Sequence, residues 1–200
     1  MRSRARTAIV VVLAAALVLA AAACAGASFD PSGPCTADGR AAGAYPDLEA
    51  LVPKTLDGKP ADTVDSGRNC SAAALSTLAD HGISQLRFAG ATWGSGANGG
   101  VSIAVLDAPK LQADWVHEFY VAGANAARDA ETVEESRPTV DGHPAYRVDA
   151  LNGESYQTVI DWEEGGHVNV VLVASFIREV STKAQHEQTV QAALKAATGG

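Results

Sequence analysis

Basic residues are scarce in this chain of 200 residues. Lys and Arg number 15 against 23 Asp and Glu, a formal net charge of −8. Nucleic-acid binding depends on neutralising phosphates with a basic surface, so this balance argues against such a partner. It argues equally against attachment to anionic lipid through the surface of the domain. Catalytic signatures are missing too. The serine motif G-x-S-x-G is absent: Gly153-Glu154-Ser155-Tyr156-Gln157 begins like it, but Gln157 replaces the second glycine. His117-Glu118 opens an H-E-x-x-H zinc motif that fails at Val121. There are only three cysteines and one methionine, the initiator, and no internal repeat. The abundance of Ala and Gly suggests a high-GC bacterium.

What is present begins with one long apolar run. Arg2, Arg4 and Arg6 precede Ala8 to Ala23, a stretch of Ile, Val, Leu and Ala. A positive end followed by an apolar segment is the layout of a secretory signal peptide. Ala21-Ala22-Ala23-Cys24 resembles a bacterial lipobox, in which the cysteine receives diacylglycerol and becomes the mature N-terminus. That pattern usually carries Leu where Ala21 stands, and Leu19 lies two residues early. Two other outcomes stay open: cleavage after Ala25-Gly26-Ala27, which gives a secreted protein, and retention of the run as an anchor, since ~18 apolar residues can span a bilayer. An exported chain meets an oxidising compartment, where thiols pair. Cys35 with Cys70 makes one bridge and leaves Cys24 over, and lipidation accounts for the odd cysteine; the alternative is that Cys35 and Cys70 are buried free thiols. The expected organisation is therefore a signal peptide over 1–23, a lipidated tether and disulfide-pinned segment over 24–44, and one domain over 45–200. Without the three N-terminal arginines the formal charge of −8 falls to −11, because that segment carries no acid. The expected location is the outer face of the cytoplasmic membrane, held by lipid on Cys24, with secretion as the alternative.

Along the chain, Ala25 to Pro34 is small, polar and proline-broken, and reads as a flexible tether. Asp47 to Val52 is a helical turn, and Ala61 to Val64 a short strand. Ser71 to His81 is a helix capped by Ser71 and stopped by Gly82, with Ile83 folding back. Gln85 to Trp93 and Val101 to Leu106 alternate as strands. The intervening Gly94 to Gly100 contains G-x-G-x-x-G, but a strand follows it rather than a helix, so it reads as a hairpin loop and not a dinucleotide site. Pro109 opens a helix over Lys110 to Ala127, with Leu111, Trp115, Phe119, Ala122 and Ala126 as its apolar stripe. A meander follows: Thr132 to Thr139, Ala145 to Leu151, Ser155 to Trp162 and His167 to Phe176, with turns at Asp141-Gly142, Asn152-Gly153 and Gly165-Gly166. Thr182 and Gln185 form a capping box for the last helix, whose Val190, Leu194 and Ala197 face the sheet.

The expected fold class is α+β: a mainly antiparallel sheet of about six to seven strands, helices packed mainly on one face, in the order β-α-β-β-α-β-β-β-β-α. Pro53-x-x-Leu56-x-Gly58-x-Pro60, the strand-loop-strand, the long helix and Val140-Asp141-Gly142-His143-Pro144-Ala145-Tyr146 resemble small exported lipoproteins of unknown function from high-GC, actinobacterial-type bacteria. The resemblance spans about Pro46 to Leu194 and implies no particular activity.

Chemistry-bearing sets are loose. Asp141, His143, Glu163, Glu164 and His167 meet only if two turns share a sheet end, and zinc needs three or four converging ligands, so they read as solvated turn residues. Glu134-Glu135 and Glu163-Glu164 are strand neighbours pointing to opposite faces, which makes poor acid–base pairs. No cofactor or metal is expected, and no catalytic residue is assigned. Trp93, Tyr156 and Trp162 read as core, and would mark a docking surface if exposed. The expected role is non-catalytic binding of an envelope protein or a small ligand, with an exported hydrolase as the alternative. A deep pocket of converging His and carboxylates favours the enzyme; a shallow apolar patch favours binding.

Overall fold

The computed structural model describes residues 29–94, 99–127, 129–153, 155–176 and 182–199. The signal segment 1–23, the lipidation site Cys24 and the middle of the glycine loop, 95–98, lie outside the described residues. No helix among the described residues is long and apolar enough to cross a membrane.

The fold is α+β. Among the described residues nine strands form one antiparallel sheet: β1 (Gly39–Ala41), β4 (Thr63–Asn69), β5 (Leu86–Gly94), β6 (Gly99–Asp107), β11 (His167–Phe176), β10 (Ser155–Glu164), β9 (His143–Asn152) and β7 (Ala130–Ser136) lie side by side in that order, and β8 (Thr139–Val140) pairs with β9. A separate hairpin joins β2 (Thr55–Leu56) to β3 (Lys59–Pro60). Asp57-Gly58 and Asp141-Gly142 both have positive φ at each position, the turn that matches strand twist in two-residue hairpins.

The five helices of the described residues cover both faces of this sheet. α1 (Pro46–Glu49) and α5 (Lys183–Ala197) sit over Ala89, Ala91, Ile103, Ile160, Trp162, Val171 and Val173. α2 (Ala72–Leu75), α3 (Thr77–Asp80) and α4 (Ala113–Asn125) sit over Phe88, Ala104, Leu106, Val148, Val159, Val168 and Val170. Successive strand residues point to opposite faces, so β5, β6, β10 and β11, apolar at both parities, require two covers. The expectation of helices mainly on one face is thereby corrected. So are the strand count and order, because β1, β2, β3 and β8 are too short to carry a period. The Ser71 helix is also two pieces, broken at Ser76 (φ 46°, ψ −127°).

Local signals hold where they are chemical. Ser71 Oγ accepts from the amide of Ala74. Gly82 N–H donates to Ala79 O and Ile83 N–H to Leu78 O, the paired bonds of a Schellman stop. Thr182 and Gln185 form the capping box. Helix α4 starts at Ala113, later than Pro109 suggests, and its buried face is Ala113, Val116, His117, Tyr120 and Ala124. Trp115 and Phe119 stand at its flank; Trp115 stacks on His81, with ring centres 4.7 Å apart.

The Cys35–Cys70 bridge is present. It lies beside a docked segment. The buried guanidinium of Arg68 donates to the carbonyls of Asp30, Pro31, Gly33 and Pro34 at 3.1, 3.2, 2.7 and 2.9 Å. The Phe29 ring lies 5.5 Å from that guanidinium and occupies the space where a side chain on Gly39 would stand. Residues 29–34 are therefore part of the domain, which corrects the reading of this proline-broken stretch as flexible.

Candidate functional site

Two buried polar groups invite a catalytic reading. Under α5, Thr158 Oγ1 donates to Asp149 Oδ1 at 2.5 Å. Its only proton is used there, so it accepts from His186 Nε2 at 2.8 Å, and His186 Nδ1 in turn accepts the Ser175 hydroxyl at 2.9 Å. Arg147 fixes the far end through bidentate bonds to Asp149 and bonds to Glu187. Burial depresses the His186 pKa, keeping the ring neutral. The order serine–histidine–hydroxyl–carboxylate resembles an activated nucleophile. However, Ser175 is only 6% exposed and His186 4%, so the chain is closed to a substrate in this conformation.

On the opposite face, His117 of α4 meets Glu135 Oε2 at 2.8 Å and approaches Asp161 Oδ2 at 3.8 Å. Asp161 has no exposed surface, and neither of its carboxylate oxygens has a hydrogen-bond partner among the described residues. Burial pushes its pKa up to about 6, partly offset by His117. The facing Asp161 holds His117 above the usual histidine range, with Glu135 adding to it. The Tyr146 ring stacks on His117 at 5.0 Å. This pair can hold a proton, but the neighbouring void, lined by Leu78, Val116 and Tyr120, is only about 10 Å³.

The loose metal set does not assemble. His143 Nε2 stands 3.9 Å from Glu164, His167 pairs instead with Asp107 at 3.5 Å, and Glu163 accepts from the first amide of α4 at 2.9 Å. Among the described residues no three His, Cys, Asp or Glu gather at a metal-binding distance. Trp93 and Trp162 are core, each indole N–H bonded, to Lys59 O and Glu164 Oε2 respectively. Tyr156 is half-buried.

An open cleft of about 590 Å³ lies between residues 50–57 and the end of α5. A larger accessible site lies at one end of the sheet, where β5 starts, β6 ends and β11 starts. A cleft of about 740 Å³ opens there between the loop after α3 (Gly82 to Gln85), the loop before α4 (Ala108 to Lys110) and Gly166. Pockets of about 300–1,000 Å³ suit small ligands. Its floor is a cross-strand pair: Arg87 faces Asp107 in register, and Nε donates to Oδ2 at 2.8 Å. Asp47 and the Tyr45 ring hold the same guanidinium from outside, at 3.7 and 5.3 Å. Lys110 is held at φ 66°, a left-handed conformation that non-glycine residues seldom adopt, and forms no ion pair among the described residues. The cleft thus offers two fixed charges and one free cation to a polar ligand. None of these three residues is assigned from the sequence, because they come from two strands and a loop and carry no common spacing.

No known family's sequence profile matches this chain, and no curated protein matches it. Among solved structures the chain is similar to the cyanobacterial PsbP protein CyanoP from Synechocystis sp. PCC 6803, at 10% identity over 86% of this chain and 95% of that one, with a TM-score of 0.37.

Proposed function

We propose that the chain is a cell-envelope lipoprotein, anchored through Cys24, whose domain binds an envelope partner or small polar ligand without catalysis. The observation that carries this reading is the open polar cleft, whose Arg87–Asp107 floor is held by Asp47, Tyr45 and His167 while His117 and His186 are buried. The exported character rests on the N-terminal segment and on pairing of Cys35 with Cys70, which suits an oxidising compartment. The resemblance to exported lipoproteins from high-GC bacteria fits the same reading.

The test is a photo-crosslinking residue at Ser84 in intact cells, against the same residue at Glu134 on the far edge strand. A discrete adduct from position 84 alone is expected. Equal or absent adducts at both positions contradict the cleft assignment.

An exported hydrolase is the second reading, favoured by the Ser175–His186–Thr158–Asp149 chain. It requires Ser175 to become accessible, and a fluorophosphonate probe reads that directly.

A further inference from the structure

The docked segment limits how far the domain can stand from a membrane. Residues 25–28 are all that separates Cys24 from Phe29. Five residue steps span at most about 17 Å when fully extended. From Phe29 onward the chain is fixed: four carbonyls between Asp30 and Pro34 accept from Arg68, and Tyr45 donates to Pro31 O at 3.2 Å. Glycine at 39 and 67 permits this packing, since a Cβ at 39 would enter the Phe29 ring and one at 67 would meet the backbone of Gly39.

The same fixing places the segment beside the cleft. Arg68 lies opposite Arg87 in the β4–β5 register, and Arg87 lies opposite Asp107 in the β5–β6 register. Tyr45 joins the two features, its hydroxyl on Pro31 and its ring against Arg87. The opposite edge strand, β7, is seven strand spacings from β1, about 34 Å away.

We infer that the end of the sheet bearing Phe29–Pro34, Arg68 and Arg87 faces the lipid bilayer, so that the cleft works at headgroup height and not at the end of a long tether. This rests on lipid attachment at Cys24, proposed above. The partner surface is the bilayer itself. The surface of the domain is acidic, so the covalent lipid and the short linker impose this orientation, and charge attraction does not.

The experiment uses the full chain, lipidated in cells and reconstituted into phosphatidylcholine vesicles carrying a headgroup quencher. A fluorophore is placed at Ser32→Cys or Glu134→Cys, and vesicle flotation is read in parallel. Flotation with at least severalfold stronger quenching at position 32 than at 134 is expected. Inserting about twelve Gly/Ser residues between Ser28 and Phe29, which adds roughly 20 Å of reach, should remove that difference without touching the fold. Flotation with equal quenching in the uninserted chain overturns the orientation and leaves the anchor standing. Absence of flotation overturns the anchor, and the orientation with it.

Discussion

The Arg87 guanidinium lies 5.3 Å from the centre of the Tyr45 ring, and this contact couples the floor of the cleft to the docked N-terminal segment. Tyr45 reaches Pro31 on its other side, so both features depend on the packing around Arg68.

Arg68→Ala should cost about 3 kcal/mol, because it removes charge-assisted bonds to four carbonyls and the packing of a buried side chain. Arg68→Lys should recover little, since one ammonium cannot span four acceptors. Urea unfolding measures both, and an unchanged midpoint for the alanine variant contradicts the docking role.

Reduction of the Cys35–Cys70 bridge should also destabilise the domain. The bridge closes a sequence separation of 35. The chain-entropy account gives about 4 kcal/mol for such a loop. Thermal unfolding with and without reductant reads the loss. Thiol labelling of the unreduced protein should give no reaction at either cysteine.

Buried Asp161 predicts a pH dependence with a definite sign. Its folded pKa, about 6, lies above its unfolded value, so the native state holds more protons between about pH 4 and 6. Stability from this group is full below that window and is lost as pH rises through it. His117, also raised, acts in the same direction at higher pH. Asp161→Asn should therefore flatten the fall in stability between pH 4 and 8 by on the order of 1–3 kcal/mol relative to the parent. Parallel urea titrations at the two pH values compare them, and identical slopes contradict the assignment.

His186→Ala should destabilise by about 2–4 kcal/mol by stranding Ser175 and Thr158 inside the fold. A fluorophosphonate probe should leave Ser175 of the parent protein unmodified. Stoichiometric labelling at Ser175, abolished in the His186 variant, would instead support the hydrolase.

What could be read from the sequence was local. Thr182 with Gln185, Ser71, and Gly82 with Ile83 announce helix ends through short-range hydrogen bonds, and Asp141-Gly142 announces its turn through backbone sterics. The apolar stripe Leu111, Trp115, Phe119, Ala122 and Ala126 misses the buried face of helix α4, because His117 and Tyr120, which an apolar period does not select, are buried toward Asp161 across the helix–sheet interface. The single-face expectation failed although His167–Phe176 is apolar at both parities, a pattern that signals two covers. Docking of Phe29–Pro34 depends on a single arginine 34 to 38 positions later bonding to main-chain carbonyls. The only local hint is the cysteine that follows Pro34. The cleft was beyond reach for a related reason: its walls at Ile83, Arg87, Lys110 and Gly166 meet only through the register of three strands.

The most direct test is the intact mass of the mature protein extracted from membranes. The expected species begins at Cys24, carries diacylglycerol on the thiol, and contains a Cys35–Cys70 disulfide. A chain with a free amine at Ser28 and no lipid contradicts it.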